Sequence, residues 1–147
     1  MDWELKRFDQ LSLTELYQIL KSRVDIFVVE QECPYPEIDG IDPDCLHLFK
    51  KDQNQIVAYA RLVPKGILDP DPMIGRIIVG NEYRKLGYGR ALLNQAISVI
   101  TDQWHEKEIK LQGQVYLRDF YRSLGFKEVS EPYLEDGIPH VDMIRKN

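Results

Sequence analysis

Positive charge is in short supply in this chain of 147 residues: 19 lysines and arginines stand against 24 aspartates and glutamates, a net charge of −5. Such a molecule is poorly suited to a polyphosphate backbone, which argues against nucleic acid as a partner, although a local basic patch can still hold a phosphate group. Cysteine is scarce too. Cys33 and Cys45 are the only two and form no C-x-x-C, so the pattern reads as two reduced thiols rather than a disulfide framework or a redox motif. Three scattered histidines and two cysteines lack the spacing of zinc ligands. No apolar run approaches the length of a membrane span. The opening "MDWELKRFDQ" starts acidic and has no apolar signal-peptide core, so the cytoplasm is the expected location. No repeat, low-complexity tract or linker interrupts the chain, and one domain over residues 1–147 is expected.

What is present is enough apolar material for a core, 44% of residues. Trp3 to Phe8 reads as a short strand. Ser12 and Glu15 form a capping box. Behind it Leu13, Leu16, Tyr17, Leu20, Val24, Phe27 and Val28 recur at helical spacing. "CPYPEIDGIDPD", with three prolines and a glycine in twelve residues, ends that helix as a loop. "CLHLFKK" and "QIVAYARLVP" read as strands joined by a hairpin turn at "DQNQ". "MIGRIIVG" is a mostly apolar strand, expected to be buried on both faces. A helix with the stripe Leu92, Leu93, Ala96, Ile97 and Ile100 follows, then a strand at "EIKLQGQ". "VYLRDFYRSLG" is a helix whose inward face is read as Tyr116, Leu117, Phe120, Tyr121 and Leu124, with Gly125 as its stop. "FKEV" and "HVDMIR" are the last two strands.

Two acidic or phosphate-like patterns compete for attention. "DGIDPD" sets Asp39, Asp42 and Asp44 in one loop, but the order is wrong for an EF-hand and no bidentate Glu follows, so no metal is expected. The more useful reading is a solvated acidic loop that attracts a cationic acceptor. "YRKLGYGRALL", residues 83–93, pairs two glycines with Arg84, Lys85 and Arg90 at the start of an amphipathic helix. It is either an ordinary tight turn or an anion cradle, because a helix N-terminus leaves N–H groups free and carries partial positive charge. A P-loop is excluded, since G-x-x-x-x-G-K-[ST] is absent. The dinucleotide fingerprint needs a third glycine where Leu92 stands.

With these residues in view the chain resembles the GNAT superfamily of N-acetyltransferases. Arg84, Gly87 and Gly89, led in by "RIIV", match its R-x-x-G-x-G turn. "QVYLRDFYRSLGF" matches its second element through Phe120, Tyr121, Gly125 and Phe126. Gln114 stands where the family often has Asn, Leu117 where it often has Ala, and Asn81 where it often has Pro. "VDIFVVEQECPYPEIDG" and "YLEDGIPH" are similar to the ElaA-like branch.

The resemblance implies a mixed α/β (α+β) GNAT fold: a mostly antiparallel seven-stranded sheet splayed between strands 4 and 5, with about four helices. It implies acetyl-CoA as co-substrate, with no metal. The pantetheine arm would pair with Ile77, Ile78 and Val79. The pyrophosphate would lie on Arg84 and the amides of Lys85, Leu86, Gly87, Tyr88, Gly89 and Arg90, with Gln114 and Phe120 completing the cofactor site. A lysine-type amine is almost wholly protonated at neutral pH and must lose a proton before it attacks. Glu30 and His140 are the candidate bases. Tyr121 is the candidate acid toward the leaving thiolate, the other reading being a core tyrosine. Tyr35, Glu30 and His140 would face the acceptor, a small-molecule or peptide amine. Neither nucleic acid nor membrane is an expected partner, and dimers are frequent in the family, so a homodimer is one arrangement. A module that binds acyl-CoA without turnover is the alternative, and a longer acyl donor a third reading.

Overall fold

The computed structural model describes residues 2–147. Its elements in chain order are β1 (Glu4–Arg7), α1 (Leu13–Val24), β2 (Leu46–Asp52), β3 (Gln55–Val63), β4 (Met73–Val79), α2 (Tyr88–Ser98), β5 (Glu108–Gln114), α3 (Arg118–Ser123), β6 (Lys127–Glu128), β7 (Tyr133–Glu135) and β8 (Ile138–Lys146). They build one sheet in the order β1-β2-β3-β4-β5-β8-β6, with β7 paired to β8. Every pair is antiparallel except β4–β5, which is parallel and touches at a single register point, Met73 opposite Lys110. Beyond that point the two strands part.

Three features depart from the expectation. The sheet has eight strands, not seven, because "YLEDGIPH" folds back on itself as a hairpin. Its turn is an Asp-Gly pair with positive φ at both Asp136 and Gly137, the geometry a two-residue turn needs to follow strand twist. There are three α-helices rather than about four. Two of them lengthen instead through wider π-helical turns, Asp25–Glu30 after α1 and Val99–Gln103 after α2. And β4 is not buried on both faces: only Ile74 and Ile78 are, since one edge borders the opening.

The two sides of the sheet are filled differently. Against α2 and α3 lie Leu48, Ala58, Leu62, Ile74, Leu92, Leu93, Ile100, Leu111 and Phe126, an apolar layer. Leu92, Leu93, Ala96, Ile97 and Ile100 are all buried, as their spacing predicts. Against α1 the apolar cluster is smaller, Ile19, Phe49, Ile56, Tyr59 and Ile78, and much of the remainder is charged. The capping box forms, with Glu15 N–H donating to Ser12 Oγ at 3.0 Å and Ser12 N–H to Glu15 Oε1 at 2.9 Å. The stripe behind it is another matter. Leu13 is 88% exposed and Tyr17 69%, whereas Glu15, Ile19 and Arg23 are buried. Tyr116, expected on the inward face of the α3 segment, is 75% exposed. It lies in the short 3-10 turn Val115–Leu117 that precedes α3, out of phase with the helix.

Charge replaces apolar contact beneath α1 because the loop after it supplies partners. Arg23 donates to Glu37 at 2.7 Å and to Asp42 at 2.9 Å. Arg61 donates to Asp39 and Asp42, and Arg76 to Glu37. The acidic loop is therefore only partly solvated: Glu37 and Asp42 are buried and Asp39 is clamped by arginines, while Asp44 stays exposed. His47 joins this layer as a core histidine, bridging Tyr59 Oη at 2.7 Å and the Asp42 carbonyl at 2.9 Å.

Candidate active site

The parting of β4 from β5 opens a cleft of about 650 Å³ through the sheet. It brings together residues far apart in the chain: Glu30, Tyr35, Ile77, Ile78, Val79, Arg84, Lys85, Gln114, Phe120, Tyr121 and His140 all line it. Leu86, Gly87, Tyr88, Gly89 and Arg90 stand beside its mouth, at the start of α2.

β4 carries a bulge here. Its pairing with β3 slips between Tyr59 and Arg61, and Arg76 has φ +49°. The slip turns Ile74, Ile77 and Val79 toward the α2 side although their spacing is uneven. At the strand's end Gly80 N–H donates to the Val57 carbonyl of β3 at 2.8 Å. The two ends of a trans peptide point opposite ways, so the Val79 carbonyl faces the cleft. On that edge β4 offers main-chain groups with no strand partner past Met73.

The glycine turn has the geometry of an anion cradle. Gly87 is the N-cap of α2 and sits at φ +87°, a left-handed conformation that favours glycine. No side chain caps the helix. Among the described residues the main-chain N–H groups of Lys85 through Arg90 have no hydrogen-bond partner, the first bonded amide being Ala91 to Gly87 O at 3.2 Å. Arg90 lies over the Phe120 ring at 5.4 Å and donates to Ser123 Oγ at 3.0 Å, which ties the turn to α3.

Tyr121 is 4% exposed, set edge-on to Phe120 and Phe126. It rests on Gly113, where a Cβ would stand 3.0 Å from two atoms of its ring. Its hydroxyl makes no hydrogen bond and is not fully occluded, so it opens onto the cleft. Burial raises its pKa, which keeps the phenol protonated. His140, on β8, donates from Nδ1 to the Ile138 carbonyl, with the two atoms 2.7 Å apart. A carbonyl only accepts, so Nδ1 carries a proton, and in the neutral ring the lone pair lies on Nε2. The ring stacks on Tyr133, which Asp142 holds at 2.6 Å. Glu30 is differently placed. Arg84 donates to both its carboxylate oxygens, at 3.2 and 3.0 Å.

Beside Tyr35 and Gln114, both expected from the sequence, the cleft holds Gln31, Cys33 and Arg76, which had no signal in spacing or motif. Tyr35 donates to Glu37, carries Arg76 over its ring at 5.7 Å, and has its pKa raised by burial and by that carboxylate. Arg76 itself was foreshadowed only by standing as a charge inside an apolar strand. Gln31 and Gln114 exchange weak amide bonds, at 3.4 and 3.3 Å, from the tail of α1 to β5. Cys33 also lines the cleft, its thiol donating to the Asp136 carbonyl at 3.2 Å. Burial and Asp136 raise its pKa, which favours the thiol over the thiolate. Glu135 and Asp136 sit at the lip without ion-pair partners among the described residues. Those residues hold no cluster of His, Cys, Asp and Glu arranged as a metal site, and none of their helices is long and apolar enough to cross a membrane.

A family model described as an acetyltransferase (GNAT) domain matches residues 18–146. A UPF0039 protein of Schizosaccharomyces pombe is 45% identical over 145 residues, covering 97% of this chain and 95% of that protein. Protein ElaA of Escherichia coli K12 is 40% identical over 149 residues, covering 99% and 97%. Among solved structures, an acyl-CoA N-acyltransferase from Pseudomonas aeruginosa aligns with a TM-score of 0.92 at 38% identity over 99% of both chains.

Proposed function

The chain belongs to the GNAT acetyltransferase family, in its ElaA-like branch, and on that premise we propose that it moves an acetyl group from acetyl-CoA to an amine by direct attack in a ternary complex. The observation that carries the donor half is the run of unpartnered amides from Lys85 to Arg90 beside the parted strands. A diphosphate satisfies those donors, and the edge of β4 from Ile77 to Val79, which has no strand partner, pairs with the amides of a pantetheine arm once Arg84 Nε leaves the Val79 carbonyl.

The acceptor enters from the side of the Tyr35 loop and the β7–β8 turn. There the unpaired carboxylates of Glu135 and Asp136 favour an ammonium group, in a small molecule or a peptide. The ammonium gives one proton to His140 Nε2, which passes it to solvent. The neutral nitrogen attacks the thioester carbonyl, the C–N bond forms, and the C–S bond breaks. The second nitrogen proton ends on sulfur, with the Tyr121 hydroxyl as hydrogen-bond donor to the departing thiolate. What supports His140 over Glu30 as base is the free Nε2, against a carboxylate already held by Arg84. No covalent enzyme intermediate is required.

The test is release of free CoA from acetyl-CoA with a panel of amines. Amine-dependent release is expected, and in His140→Ala the rise of rate with pH is lost. CoA binding with no amine-dependent release across a broad panel would overturn the enzyme reading in favour of a binding module.

A further inference from the structure

Arg76 stands inside β4 at φ +49°, a left-handed conformation that a non-glycine residue rarely adopts. Such strain persists where the surroundings over-determine it, and here they do. Nε donates to Glu37 Oε2 at 2.8 Å, and Nη2 to the Glu37 carbonyl at 3.3 Å and to Asp39 at 3.4 Å. The Tyr35 ring lies 5.7 Å from the guanidinium. All those bonds leave from Nε and Nη2. Nη1 donates to nothing among the described residues and is not fully occluded, and Arg76 lines the cleft. The place beside it is bare. Gly75 is the register partner of Arg61, so a side chain there would point to the face on which Arg61 and Arg76 both hold Asp39. A Cβ at Gly75 would meet no atom within 4 Å, and Gly75 also lines the cleft. We propose that Arg76 Nη1 and the open space over Gly75 form a carboxylate subsite, so that the acceptor is an amine that also bears an acid group. The proposal rests on the transfer reaction argued above.

The subsite borders the reacting atoms. In the scheme above the arm runs from the glycine turn past Val79 toward Ile77, so its thioester end lies next to Arg76. The charges around Arg76 balance, with Arg23, Arg61 and Arg76 set against Glu37, Asp39 and Asp42. An incoming carboxylate therefore meets neither net attraction nor net repulsion from this network. It meets a directional donor, and a guanidinium matches the planar geometry of a carboxylate. The loop already holds that donor in place, so little rotamer freedom is lost on binding. Glu135 and Asp136, at the lip of the same cleft, repel an acid group and attract an ammonium. The two ends of such an acceptor are thereby sorted, acid toward Arg76 and amine away from it.

CoA release from acetyl-CoA by the full chain, with amino acids each paired against its carboxamide, tests this. In the wild-type chain kcat/KM for the acid is expected to exceed that for the amide about tenfold. Gly75→Asp puts a carboxylate of the chain itself into the open space and leaves the bonds from Arg76 to the loop. The ratio then falls below one, with the loss in KM. Arg76→Gln brings the ratio close to one. A merely structural role for Arg76 would slow both acceptors alike and leave the ratio standing. Either variant carries the test if the other fails to fold. If wild type takes acid and amide equally, or the ratio survives substitution, the subsite is overturned while acetyl transfer stands. If instead succinyl-CoA outruns acetyl-CoA with plain amines, and Gly75→Asp reverses that order, the carboxylate belongs to the donor and the acceptor assignment is overturned. If no amine releases CoA, the transfer reaction itself falls.

Discussion

One sheet separates two kinds of interior. On the α2 side the core is apolar and close to the motif that starts that helix. On the α1 side Arg23, Arg61, Glu37, Asp42 and His47 are buried together, and they pin the loop from Cys33 to Cys45 that forms one wall of the cleft. The difference follows from what each side must position. The α2 side presents main-chain groups to the cleft, which need only a rigid helix start and strand edge. The α1 side presents side chains from an irregular, proline-broken loop, and such a loop is held in one shape by directional charge-assisted bonds where apolar contact has no preferred geometry. The largest effect should come from breaking that network. Arg23→Ala leaves Glu37 and Asp42 buried with fewer partners and is expected to cost about 3–5 kcal/mol in a denaturant melt at neutral pH. Leu93→Ala, on the other side, should cost about 2–5 kcal/mol through a cavity. The two similar losses part company in acid. Burial pushes Asp42 up, but Arg23 and Arg61 outweigh it and hold its pKa below the usual carboxylate value. A depressed carboxylate stabilises the fold above its unfolded pKa and loses that contribution as pH falls through the folded one. The Arg23→Ala penalty should therefore shrink as pH drops below about 4, while the Leu93→Ala penalty stays. Equal pH behaviour would erase the distinction between the two interiors.

That distinction also marks where the chain was readable. Leu92, Leu93, Ala96 and Ile97 announce a buried face because periodicity of apolar residues is a direct record of burial. Ser12 and Glu15 announce a helix start because a cap is a local event. The α1 stripe Glu15–Ile19–Arg23 was invisible by the same rule. Two of its three buried members, Glu15 and Arg23, are charged, and their partners Lys51, Glu37 and Asp42 come from elsewhere in the chain, so Leu13 and Tyr17 took the face they do not occupy. The hairpin at Asp136–Gly137 had a local signal in its Asp-Gly pair, but with only three residues in β7 its strand had little pattern to display. The glycine turn, lying in one continuous stretch, was legible as a helix start with its amides left open. Gln31, Cys33 and Arg76 were not, because only the splay of β4 from β5 makes them neighbours.

A second test asks whether the apolar side also carries chemistry. Tyr121 packs within that core and yet opens to the cleft. Tyr121→Phe preserves the packing against Phe120 and Phe126 and removes one oxygen. It is expected to lower kcat about a hundredfold, close to 2.7 kcal/mol, with little change in CoA affinity or melting. An unchanged kcat would return Tyr121 to the role of core tyrosine and leave all side-chain chemistry on the polar face.

Glu15 probes the polar side a smaller step at a time. Burial raises its pKa, but bonds from Lys51, from the Ser12 amide and from Lys6 lower it further, to about 2. Glu15→Gln keeps the capping shape and loses the charge, so it should cost about 1–2 kcal/mol at pH 7. The contribution is complete above the unfolded value near 4.5 and lost as pH falls toward 2. Urea melts of variant and wild type should therefore converge near pH 2, and a constant gap would place the effect in packing rather than charge.

The smallest effect on the fold should come from Gly89→Ala, and its value lies in that smallness. An added Cβ stands 3.7 Å from both Phe120 Cζ and Val79 Cγ2, an ordinary contact. Alanine is also the better residue inside a helix by about 0.5–1 kcal/mol. Stability should thus hold or rise slightly, unlike every substitution on the polar side. The methyl projects between Val79 and Phe120, two residues of the cleft wall, close to amides that have no other partner. Coenzyme A bound there must give way, and an affinity loss of about tenfold, or 1.4 kcal/mol, is expected from calorimetry. A variant that melts like wild type and binds coenzyme A like wild type would move the diphosphate away from this turn. A variant that keeps its fold and loses its ligand would show that the apolar side spends its order on presenting bare backbone.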